Sequence, residues 1–105
     1  MNSIDQNIAL ELKKRISEKI RIDDFRVFGS RAAGKNENDS DMDVFIQVER
    51  IDKATKEVIY EIAWEIGFNN NIVISPLVFS TDEIVNSPLR ISPIIKNIHE
   101  TGISL

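Results

Sequence analysis

Apolar residues near the N-terminus recur every fourth position. Ile4, Ile8, Leu12, Ile16 and Ile20 form one stripe, and Lys13, Lys14, Arg15 and Lys19 form a solvated side. That spacing predicts an amphipathic helix, and Ser3 followed by Gln6 fits a capping box at its start. "DFRVF" predicts a short strand stopped at Gly29. The period then changes to two in "SDMDVFIQVE", a second strand. Met42, Val44, Ile46 and Val48 fall on one face of it, and Asp41, Asp43 and Phe45 on the other. Asp52 caps a second helix with Val58, Ile62 and Ile66 on one stripe and Ile59 and Ala63 beside it. Gly67 followed by "FNNN" is a stop-and-turn signal. "IVISPLVF" predicts a third strand in which Pro76 marks an edge or a break. "STDE" opens a short helix capped by Ser80 or Thr81. After "NSP" a last helix carries Ile91, Ile94, Ile95 and Ile98 and ends at Gly102. The apolar "LRISPIIKNI" of that helix is either core or a surface for a partner or a homo-oligomer.

This order predicts an α+β fold, an α/β sandwich with a small mixed sheet of three to four strands flanked by helices. The 105 residues suit a single domain over 1–105, with no internal repeat or linker. Composition is ordinary for a soluble globular domain, 42% hydrophobic and 29% charged. No apolar run is long enough for a membrane span, and "MNSIDQNIAL" has no basic region leading into an apolar core, so no signal peptide is predicted. Cysteine is absent, which excludes disulfides, thiolate zinc sites and cysteine nucleophiles and makes the cytoplasm the default location. The net charge of −4 argues against direct binding of long nucleic acid. It leaves room for a nucleotide bridged to acidic side chains by a cation.

The chemistry concentrates in "FGSRAAGKNENDSDMDVFI", Phe28 to Ile46. Gly29 to Lys35 satisfies the G-x-x-x-x-G-K of a phosphate-binding loop, but Asn36 stands where Ser or Thr should bind magnesium. Asp39, Asp41 and Asp43 alternate as in a calcium loop, yet Val44 and Arg50 replace the required Gly and Glu. The third reading is a metal-dependent phosphoryl-transfer site. Asp41 and Asp43 lie on one strand face, so their carboxylates converge and can share magnesium. Gly29 lets backbone approach a phosphate, Ser30 adds a hydroxyl and an amide, and a helical turn begun by "SRAA" would aim free N–H groups at it. Against these stands a plainer reading, in which the aspartates form a solvated turn leading into an edge strand. Arg31 either contacts phosphate or pairs with a nearby acid. Lys35 and Asn36 read as loop tip, His99 as a cation suited to a helix C-terminus, and Trp64 as packing; nothing decides the role of Tyr60.

"FGSRAAGKNENDSDMD" resembles the signature of the minimal nucleotidyltransferases in the DNA polymerase β-like superfamily. Gly29-Ser30, ten residues and then Asp41-Met42-Asp43 match its spacing; Arg31, Gly34 and Ser40 also fit. The resemblance extends over essentially the whole chain, including the ending "NIHETGISL". It implies a polymerase β-like fold. It implies that Gly29 and Ser30, with Arg31 and Ser40, bind the nucleotide, and that the catalytic residues Asp41 and Asp43 hold one or two magnesium ions. The acceptor hydroxyl would attack the α-phosphate of ATP or another nucleoside triphosphate and release pyrophosphate. It further implies a HEPN-type toxin as partner, with this protein as the antitoxin that adenylylates a tyrosine. The resemblance departs at one place. A third carboxylate is usual on the strand after the second helix, and "NIVISPLVF" has none. Asp82 and Glu83 just beyond it are candidate substitutes. The departure supports an alternative, a catalytically weak nucleotide-binding module that neutralises its partner by complex formation. A stand-alone small-molecule transferase is disfavoured by the lack of an acceptor-binding domain.

Overall fold

The computed structural model describes residues 1–34 and 40–105. Helix α1 spans Ser3–Ser17, and its cap is Asn2, not Ser3. Asn2 has the extended backbone a cap needs (φ −77°, ψ 168°), and its Oδ1 accepts from the Asp5 amide at 2.7 Å. Ile8, Leu12 and Ile16 are buried as predicted, whereas Ile4 is 70% exposed. A strict four-residue step overshoots the 3.6-residue turn by about 40° each time, so the buried stripe passes through Asp5 and Ala9 instead.

Strands β1 (Ile22–Phe28) and β2 (Met42–Val48) pair antiparallel, and β3 (Ile74–Ser80) runs parallel to β2. A short β4 (Ile103–Ser104) pairs antiparallel with β1, giving the order β3-β2-β1-β4. Two residues carry too little periodicity to be read from sequence, so β4 has no counterpart in the pattern. Its approach depends on Gly102, where a Cβ would collide with the Ile98 carbonyl oxygen. Between β1 and β2 lies a short helical turn α2 (Gly29–Ala32); α3 (Lys53–Asn69) connects β2 to β3 in a parallel crossover. Asp52 caps α3 as predicted, accepting from the Thr55 amide at 2.7 Å. Gly67 does not stop it. The helix runs on to Asn69, and the chain turns at Asn71, which takes a positive φ of 55°. Ser80 and Glu83 form a capping box on α4 (Thr81–Asn86), and a 3-10 turn at Pro88–Ile91 leads into α5 (Pro93–Thr101).

The sheet is covered on both faces. Met42, Val44, Ile46 and Val48 pack with α1 and α3, against Leu12, Ile16, Ile59 and Ile66. Phe45 points the other way, into a smaller core with Ile84 of α4 and Ile95 and Ile98 of α5. Its complete burial contributes about 1.5–3 kcal/mol. β2 is thus an interior strand, and Pro76 sits on the β3 edge, where its missing N–H is tolerated. Among the described residues no helix is long and apolar enough to cross a membrane.

Candidate active site

The site begins where β1 ends. Phe28 is extended, and Gly29 turns the chain into α2 with a φ of +76° that L-residues rarely adopt. Phe28 pairs with Asp43 across the ladder. A Cβ on Gly29 would stand 2.6 Å from Asp43 Oδ2, so the glycine backbone lies directly against that carboxylate. Ser30 follows, half-buried, in the first turn of α2.

Asp41 is exposed just ahead of β2, and Asp43 is half-buried within it. Two positions apart on an extended chain, they share the face opposite Met42 and Val44. The carboxyl of Asp43 is pushed above the ordinary carboxylate range, first by burial and then by the charge of Asp41. Among the described residues no basic side chain pairs with either aspartate. Across the parallel ladder, Ser75 stands opposite Asp43, and its Oγ donates to Asp41 Oδ2 at 3.3 Å. Ser75 escaped sequence reasoning because one serine in an apolar strand carries no signal until the register is known.

Of the two roles open to Arg31, the structure occupies it with pairing. Its guanidinium is buried, donating from Nη1 to Asp5 Oδ1 at 2.8 Å and from Nε to the Ser40 carbonyl at 2.8 Å. The side chain therefore points into the protein and anchors the backbone immediately before Asp41. Ser40 is thereby placed beside the aspartates.

Asp82 and Glu83 cannot replace a third carboxylate. Ser80 pairs with Val48 while Ser75 pairs with Asp43, so the cap of α4 stands five residues further along the sheet, roughly 16 Å away. Glu83 is also engaged in the cap, and Asp82 accepts from Asn86 Nδ2 at 2.9 Å. His99 is likewise remote, 3.4 Å from Asp24 Oδ2 and edge-on to Phe45. Val44 lies in the ladder between Val27 and Pro76, which rules out a calcium loop through it. The interior position of β2 also removes the reading of its aspartates as the start of an edge strand. Lys35, Asn36 and Asp39 lie outside the described residues. Trp64 is not core packing: it is 69% exposed and stacked on Phe68 with ring centroids 5.3 Å apart.

Residues 10–103 match the model of the family described as nucleotidyltransferase domain. No curated protein matches the chain in sequence. Solved structures with a similar fold include two toxin–antitoxins. One, a toxin–antitoxin with AMP-PNP, is 16% identical over 94% of this chain and 70% of its own, with a TM-score of 0.63. Another, a mutant of the toxin–antitoxin MntA-HpeT, is 14% identical over 95% of this chain and 69% of its own, with a TM-score of 0.55.

Proposed function

The chain belongs to the nucleotidyltransferase domain family, and from that premise we propose that it moves AMP from ATP to a hydroxyl of a partner protein, acting as antitoxin to a HEPN-type toxin. The observation that carries this reading is the close fit of the Gly29 backbone to the Asp43 carboxylate, which sets a phosphate-accessible turn beside two acids. A similar fold in a toxin–antitoxin with AMP-PNP supports the choice of nucleotide and of partner class.

The residues present suit a hard cation: two carboxylates share one face, and burial, then the charge of Asp41, pushes the Asp43 carboxyl above its ordinary range. Asp41 and Asp43 would hold the magnesium, which when bound supplies neutralisation of phosphate charge. The chain's own groups position the reaction. Gly29 admits the β- and γ-phosphates close to its backbone, and Ser30 donates to them. Arg31, held by Asp5, fixes the Ser40 carbonyl and so the entry of the chain to Asp41. The acceptor oxygen bonds to the α-phosphorus as the bond to the bridging oxygen breaks. Pyrophosphate departs, and the hydroxyl proton passes to solvent.

The test is calorimetric titration of ATP with magnesium, then pyrophosphate release with a HEPN-type partner. Asp41→Asn with Asp43→Asn abolishes release and leaves partner binding intact. A second reading is favoured by Ser75, a hydroxyl, standing opposite Asp43 where a carboxylate would complete a three-acid centre. In that reading the protein holds nucleotide structurally and neutralises its partner by binding. Neutralisation that survives the double substitution unchanged selects it.

A further inference from the structure

One row of residues crosses three strands at the candidate site. Phe28 ends β1 and pairs with Asp43 on β2, and Asp43 pairs with Ser75 on β3. Residues opposite one another in a sheet share a face. The Gly29 turn, Asp43 and Ser75 therefore follow one another across the sheet in steps of about 5 Å. Ser75 is half-buried, and its Oγ donates to Asp41 Oδ2 at 3.3 Å through a contact open to solvent. A hydroxyl carries one proton and two lone pairs. The Ser75 proton is committed to the carboxylate, and among the described residues nothing donates to its Oγ. Its lone pairs remain for an incoming group. Of the β3 residues on this face, Ser75, Leu77 and Phe79, only the first is polar. Leu77 and Phe79 pack with Phe45 in the smaller apolar core, which closes the face beyond the Asp43–Ser75 row.

We propose that Ser75 Oγ accepts a hydrogen bond from the attacking hydroxyl of the acceptor and so aims that oxygen at the α-phosphorus. The proposal rests on the transferase reading above. In that reading the β- and γ-phosphates lie at the Gly29–Ser30 turn, at the β1 end of the row, and Asp41 and Asp43 hold the cation. Displacement at phosphorus is in line, with attacking and leaving oxygens on opposite sides. Pyrophosphate leaves toward β1, so the attack comes from the β3 side, where Ser75 stands. The acceptor oxygen bonds to the α-phosphorus as the bond to the bridging oxygen breaks. The acceptor's proton, steadied on Ser75 Oγ, leaves to solvent, and Ser75 keeps its own proton on Asp41. A neutral hydroxyl thus orients the attack at the place where a carboxylate would complete a three-acid centre. Orientation of this kind is worth a large factor, since a misplacement of about 1 Å costs about a hundred-fold in rate.

Threonine and valine have nearly the same shape and both suit a strand, so Ser75→Thr and Ser75→Val differ at the site by one hydroxyl. Pyrophosphate release is followed with Mg-ATP and a HEPN-type protein as acceptor. In Ser75→Val the kcat falls about a hundred-fold and the KM for the acceptor is unchanged. Ser75→Thr restores kcat to within about three-fold of the parent. Calorimetry gives the same Mg-ATP affinity in all three proteins, because the hydroxyl acts on the attacking group. A valine variant as fast as the parent overturns the proposal, and so does a threonine variant as slow as the valine one. A valine variant whose Mg-ATP affinity weakens about ten-fold along with its rate also overturns it, since Ser75 then acts only by holding Asp41 for the cation. A parent that binds no ATP, or releases no pyrophosphate with the acceptor present, removes the transferase reading itself and the proposal with it.

Discussion

The backbone of Gly29 lies against the carboxylate of Asp43, with no room for a Cβ between them. Gly29→Ala therefore acts twice. The positive φ costs about 1–2 kcal/mol, and the new methyl displaces the Asp43 carboxylate from its place beside the turn. The first effect lowers the melting temperature modestly. The second lowers pyrophosphate release at least ten-fold in protein that is still folded. Thermal melting and release rates measured on the same sample separate them. A rate that falls only with the folded fraction would contradict the contact's role.

Arg31 and Asp5 form a buried ion pair, with side chains 6% and 3% exposed. Asp5 Oδ2 has no hydrogen-bond partner among the described residues. Removing one charge strands the other, so Arg31→Met alone destabilises by about 3–5 kcal/mol, whereas Asp5→Leu with Arg31→Met recovers most of that loss. Denaturant unfolding of the two single variants and the double variant gives the coupling energy. The double variant regains stability but loses the anchor on the Ser40 carbonyl, so its transfer rate stays low.

Local signals were legible where one element decides them. The two-residue period of β2 and the Asp52 cap follow from short-range rules and are present, and of the edge or break that Pro76 signalled the structure has the edge. The Gly29–Ser30 turn and the aspartate pair were legible because the residues are close in sequence. What depends on the approach of distant segments was not. Ser75 gains meaning only from the parallel register with β2, and Asp82 and Glu83 lose theirs from the same register. Gly67 and Gly102 read as stop signals. Gly102 does end α5, whereas Gly67 lies two residues inside the end of α3; each lies against a carbonyl only four or five residues away, that of Ile98 or Ile72.

The pH dependence has two opposite contributions. Asp43 is raised above its ordinary 3.8 by burial and by Asp41. The native state then holds more protons than the unfolded chain, so stability falls as pH rises from 3.8 through the folded value. Asp43→Asn in metal-free buffer therefore melts higher than the parent at pH 7, and the advantage vanishes below 3.8. Asp52 runs the other way. The Thr55 amide holds it below 3.8, so its contribution is present above that value and is lost as pH falls through the folded one. The penalty of Asp52→Ala is accordingly larger at pH 7 than in acid. Melting curves of the three proteins across pH 2.5 to 7 check both signs.

Gly67→Ala sets helix propensity against packing. Alanine gains about 0.8–1 kcal/mol inside a helix. The added Cβ would stand 2.7 Å from the Ile72 carbonyl oxygen, a backbone atom that cannot rotate away. Overpacking of this kind costs about 1–3 kcal/mol, so the clash wins and the variant is destabilised. The turn it distorts also carries Val73, whose carbonyl accepts from the Met42 amide at 2.8 Å beside Asp41. Denaturant midpoints of parent and variant decide the sign.

Ser75 offers the sharpest handle on metal chemistry. It already faces Asp43 across the ladder and donates to Asp41. Ser75→Asp places three carboxylates on one face. Without metal their repulsion lowers the melting temperature below that of the parent. With magnesium the order reverses, since a ligand at a hundred times its Kd adds about 2.7 kcal/mol to the folded state. The expected result is a magnesium Kd about ten-fold tighter by calorimetry and a larger magnesium-dependent rise in melting temperature. Pyrophosphate release then separates the two functional readings. A rate that climbs with the added acid means the parent is a transferase limited by its metal site. Tighter metal with no gain in rate means the hydroxyl at this position belongs to a protein that works by holding its nucleotide and its partner. A melting temperature indifferent to magnesium in both proteins would mean that Asp41 and Asp43 do not converge on a cation at all.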